Sequence, residues 1–155
     1  MSQPPTIRNL AVIDYDTAAR AVAAGVDWAR ARSVALSIVV VDSVGHLVAS
    51  ARMDGAPFIT IEVARGKAFA SAATGGQPGG ALAERYRENP MVWANAGPLG
   101  YGAPMLPAVG CLPIWSDGVL IGAMGASGAP SEVDAAALAH AITAIGAQST
   151  PPPPA

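Results

Sequence analysis

Arg52, Asp54 and Lys67 are the residues of this chain best suited to chemistry. The first two close the segment VVVDSVGHLVASARMDG, which runs from Val39 to Gly55. At i and i+2 of an extended stretch, Arg52 and Asp54 point to one face. A guanidinium offers a forked donor for a carboxylate, and Asp54 can orient it or accept a proton. The plain alternative is a local ion pair that steadies a turn. Lys67 lies between Gly66 and Ala68. Such small neighbours let a lysine lie against packed structure and reach an anion; otherwise it sits on a solvated helix face.

His46 follows Gly45 at a turn. It could act as a base or ligate haem iron, or be a surface residue. His140 sits among alanines and reads as packing or interfacial. The two histidines lack HxxxH spacing, which argues against a zinc site. Cys111 could be a nucleophile only with a lowered pKa and a nearby base. A buried free cysteine otherwise behaves as a small hydrophobe. Gly122, Gly125 and Gly128 do not make a dinucleotide fingerprint. Glycines in a strand mark close approach of a ligand or of another backbone. Ser127-Gly128 leads into a helix whose N-terminal amides could hold an anion; tight helix-on-sheet packing explains the same glycines.

The elements that must position these residues can be read from periodicity. Residues 1–8 form a lead. Apolar residues recur at helical spacing from Tyr15 to Arg32, with Asp14 or Asp16 as N-cap. Val34–Val41 is a buried β-branched strand, Asp42–Gly45 a turn, and His46–Arg52 the returning strand. Thr60–Ala73 is a second helix with a stripe of Ile61, Ala64, Ala68 and Ala72, which places Lys67 on another face. TGGQPGG at 74–80 is a break and Ala81–Arg87 a short helix. The proline- and glycine-rich stretch 89–107 has no clear period, and a loop that long is usually functional or packs on a neighbour. Ala108–Trp115 and Val119–Ala126 form a second hairpin around Ser116-Asp117-Gly118. Ser131 and Asp134 approximate a capping box for a last helix, Val133–Ile145, which Gly146 stops. Residues 9–146 read as one domain, and 147–155, with four prolines, as a disordered or polyproline tail. Hairpins between helices give an α+β fold with an antiparallel sheet.

Composition narrows the function classes. Charged residues are 13% against 52% hydrophobic, about half the usual charged share of roughly 25%. An apolar surplus on a chain this size predicts a homo-oligomer. A net charge of −2 without a basic run argues against nucleic acid. A single cysteine and no basic or apolar leader segment predict a reducing cytoplasm. No apolar run reaches the roughly 18 residues that span a membrane.

Three ordered blocks carry a resemblance: VVVDSVGHLVASARMDGA at 39–56, KAFAS at 67–71, and Gly110–Asp134 with its DG turn and GAMGASG run. The chain resembles the GlcG/HbpS-like family, a domain also found at the C-terminal end of some cobalamin adenosyltransferases. The resemblance covers about Ala18–Ile145. It implies a profilin-like α/β/α fold around an antiparallel five-stranded sheet, and homo-oligomers. Haem is the cofactor it implies, through binding or degradation. Arg52, Asp54, Lys67 and the Gly110–Pro113 turn match the family's pocket. Val44 and Cys111 stand where the family commonly has glycine.

The first functional reading is therefore a binding protein for haem or another anionic aromatic ligand. Arg52 and Lys67 would pair its carboxylates, Gly110, Pro113 and Ser127 would line the site, and His46 would ligate the metal. The second is a cofactor-free lyase, hydratase or isomerase on a small aromatic or hydroxy-acid carboxylate. There Arg52 would anchor the substrate and Asp54, His46 or Cys111 would move the proton.

Overall fold

The computed structural model describes residues 2–97 and 105–154. The elements are α1 (Tyr15–Arg30), β1 (Ser37–Asp42), β2 (Leu47–Arg52), α2 (Thr60–Ala73), α3 (Gly79–Glu88), α4 (Pro90–Ala96), β3 (Cys111–Ser116), β4 (Val119–Ser127) and α5 (Ser131–Ala144). Asp14 caps α1 by accepting from the Thr17 amide at 2.8 Å, and those hydrogen bonds hold its carboxyl below the usual range. In the first hairpin Asp42 Oδ1 accepts from the amides of Val44 and His46, both at 3.0 Å. This carboxylate, as well as Gly45, therefore shapes the turn.

The sheet is antiparallel in the order β2-β1-β4-β3. Alternation in β1 splits the core between its two faces. Ile38 and Val40 pack with Ala18, Ala21, Leu138 and Ile142 of α1 and α5. Val39 and Val41 pack with Ala64, Ala68 and Ala72 of α2. The result is three layers, with α1 and α5 on one side and α2 on the other. Gly125 explains how close α2 comes: a Cβ there would sit 2.0 Å from the Ala64 carbonyl oxygen. At Gly125 the β4 glycine thus answers to helix packing, one of its two sequence readings.

Among the described residues the sheet has four strands, not the five that the family resemblance implied. Beyond α5 the chain does return to the outer edge of β3, where Gln148 and Trp115 exchange two backbone hydrogen bonds. The contact stops at one residue pair. Residues 151–154 are prolines, without the N–H groups a ladder needs. Within the stretch 89–107, α4 is a seven-residue helix opened by Pro90, too short to show a period. Residues 98–104 of that stretch lie outside the described residues. No helix among the described residues is long and apolar enough to cross a membrane.

Candidate functional site

Lys67 does not lie on a solvated face. It is 6% exposed, and its Nζ donates to the Ala126 carbonyl at 3.0 Å and to Asp134 Oδ2 at 3.3 Å. The pair joins α2 to α5 across the end of β4. Asp134 is 2% exposed, and its Oδ1 accepts from the Ala129 amide at 3.2 Å. Burial pushes the Asp134 carboxyl up, against the downward pull of Lys67 and the Ala129 bond. Gly110 makes the seat possible, since a Cβ there would lie 2.7 Å from Lys67 Nζ. Its φ of +103° also suits glycine. Lys67 and Gly110 are thus brought together, but in the interior, where the ammonium already has an anion.

The Ser131–Asp134 capping box is corrected. No side chain caps α5, and its N-cap position is Pro130, which has no N–H for the reciprocal bond of a capping box to reach. Asp134 instead occupies the Ala129 amide and neutralises Lys67. Its role was missed because an acid early in a helix already has an explanation. The available signal was Lys67 itself, placed among small residues in a helix that has to bury most of its surface.

Arg52 lies elsewhere. It ends β2, in register with Ser37 of β1, which in turn faces Ser127 of β4. Ser37 Oγ is 2.7 Å from Thr60 Oγ1 at the start of α2. Arg52 Nη1 donates to the Ala56 carbonyl at 2.9 Å, using one of five donors. Among the described residues no carboxylate lies within ion-pair distance of it. Both Arg52 and Asp54 are exposed. They line a surface cavity of about 380 Å³ with Val26, Arg30, Ala51 and Met53. Arg30, which sequence reasoning did not single out, reaches this cavity from α1 and pairs with Asp27 at 2.7 Å.

The remaining candidates stand apart. His46 is at the other end of β2, about 20 Å from Arg52 by strand rise. Its side chain is 80% exposed and its Nδ1 lies 3.5 Å from Asp42 Oδ2. Cys111 is 1% exposed and packs with Ala70 and Leu82. Burial pushes its thiol up to about 12, so it is protonated at neutral pH. Pro113 is buried in β3, opposite Ala123. Asp54, His46 and Cys111 do not converge on one point. Among the described residues no group of three or more His, Cys, Asp or Glu side chains is placed to hold a metal ion.

Comparison with known proteins decides the family. The model of the haem degrading protein HbpS-like family matches residues 13–143. The chain belongs to the HbpS-like family. Among solved structures, this HbpS-like chain is similar to Klebsiella pneumoniae ORFY, with 21% identity and a TM-score of 0.81 over 94% of this chain and 98% of that one. A PduOC–haem complex gives 23% identity and a TM-score of 0.78 over 90% and 99%. A double mutant of Streptomyces reticuli HbpS gives 23% and 0.76 over 92% and 97%. At these identities the likeness establishes the fold. No match is found among curated proteins.

Proposed function

We propose that this chain binds a small carboxylate-bearing ligand with an apolar body at the Arg52 cavity. Haem is the candidate that the family and the PduOC–haem complex point to. One observation carries the reading: Arg52 is a cation without a carboxylate partner among the described residues, at the lip of a cavity whose other lining includes Val26, Ala51 and Met53. Arg30 is a second guanidinium at the same place. Haem fits this cavity in part. One of its propionates would meet Arg52, since Arg30 is paired with Asp27, and its ring edge the apolar wall. Its iron finds no imidazole there, since no histidine lines the cavity and His46 lies at the far end of β2. Lys67, committed to Asp134, takes no part. The three-layer arrangement accords with the profilin-like fold of the family, and a homo-oligomer remains the assembly we propose from the apolar surplus.

Titration with hemin tests this. A saturable Soret shift is expected, about tenfold weaker in Arg52→Gln, because a charge-assisted hydrogen bond contributes about 1.5–3 kcal/mol. His46→Ala should bind as the parent does. No shift at all would defeat the haem assignment. Equal affinity in Arg52→Gln would defeat the site.

A further inference from the structure

The Arg52 cavity does not end at Arg52. Val26, Arg30 and Ala51 also line a second cavity of about 510 Å³, which follows the seam between α1 and β2. Ala19 and Ala23 of α1 and Ala49 and Ala51 of β2 are part of its lining, beside Val22 and Val48. Larger residues at these places would close the seam. At the far mouth, Tyr15 and Leu47 line the same cavity and are 66% and 50% exposed. The seam therefore has cations at one end and uncovered apolar surface at the other.

Its lining is elongated: it includes both Tyr15 and Arg30, between which the helix advances about 22 Å. Asp27 also lines this cavity, but it is the partner of Arg30. Asp54 lines only the Arg52 end. Among the described lining residues, the charge left for a ligand is that of Arg52.

We infer that the ligand is an elongated amphipathic carboxylate. Its head group pairs with Arg52, and its apolar body lies along the seam between α1 and β2. This rests on the carboxylate reading of the Arg52 cavity and adds the chemical class of what fills it. Ala19 and Ala23 then set how much chain the seam accepts.

Calorimetric titration of the whole chain with dodecanoate tests the inference, with hemin run in parallel. Dodecanoate should bind with a negative heat-capacity change, since apolar surface is buried. Arg52→Gln should weaken it about tenfold, the loss expected for one charge-assisted bond. Ala23→Leu should weaken it by at least about tenfold. Ala23 is exposed and leucine is nearly as good a helix former as alanine, so this variant keeps its fold; circular dichroism confirms it. If Arg52→Gln weakens hemin while dodecanoate does not bind, or binds equally well to Ala23→Leu, the inference falls and the carboxylate site stands. If Arg52→Gln changes neither ligand, both fall. Light scattering on Ala23→Leu closes the remaining route. A changed oligomer mass would make the seam a contact between copies and overturn the inference.

Discussion

The buried Lys67–Asp134 pair should respond to its two single substitutions in different ways. Asp134→Ala leaves Lys67 Nζ with the Ala126 carbonyl alone and the Ala129 amide without its acceptor. Removing one partner of a buried ion pair costs about 3–5 kcal/mol, a large part of the roughly 5–15 kcal/mol that holds a domain together. With a urea m-value of about 2 kcal/mol per molar, the unfolding midpoint falls by roughly 2 M. Lys67→Met should cost about as much at neutral pH, but its cost depends on pH. Burial already pushes Asp134 up, and Lys67 is what pulls it down. Without the lysine the folded carboxyl rises further above the unfolded value of 3.8. Between those two values the folded state holds a proton that the unfolded state lacks, so stability rises as pH falls through that window. The deficit of Lys67→Met against the parent should therefore shrink toward low pH. Asp134→Ala has no carboxyl to protonate at this site and should not recover in this way. The double variant Lys67→Met/Asp134→Leu should recover most of the loss and stay about 1–3 kcal/mol below the parent, the cost of the Ala129 amide left without an acceptor. Urea unfolding followed by circular dichroism at two pH values measures all of this. A Lys67→Met cost below about 1 kcal/mol at neutral pH, or one that grows as pH falls, refutes the reasoning.

Two further outcomes follow from the same region. Gly110→Ala should destabilise by about 1–3 kcal/mol, from its positive φ and the contact with Lys67 Nζ. In a Lys67→Met background part of that loss should vanish, a coupling that paired unfolding curves would reveal; strict additivity would count against the contact. Cys111, buried with its thiol pushed up to about 12, should resist a thiol reagent in the native chain at neutral pH and react at once in urea. Rapid stoichiometric labelling of the native chain would show that the thiol is not enclosed.

The sequence was legible where one cause governs a segment. The hydrophobic alternation of β1, the DG turn before β4 and the helical stripe of α2 each specify local structure, and Thr60–Ala73 is the helix that spacing predicts. Side-chain partners were less legible, because they depend on which elements meet. Lys67 and Asp134 are 67 positions apart, and nothing local to either announces the other. Arg52 and His46 are close in sequence, yet an extended strand carries them to opposite ends. The seam between α1 and β2 draws Ala19, Ala23, Ala49 and Ala51 into its lining, and the signal of alanine in a sequence is weak helix periodicity and nothing more. The fifth strand came from family likeness and not from any pattern in the chain.

The two edges of the sheet are not equivalent. On β3 the outer edge lacks a donor at Pro113, and its Trp115 position is already taken by Gln148. An incoming strand finds little to bind there. On β2 the outer edge carries no such obstruction among the described residues. Sheet growth between copies is thus confined to one side. A β2-to-β2 pairing uses both open edges and leaves no third, so strand addition would close at a pair and could not run on into a filament.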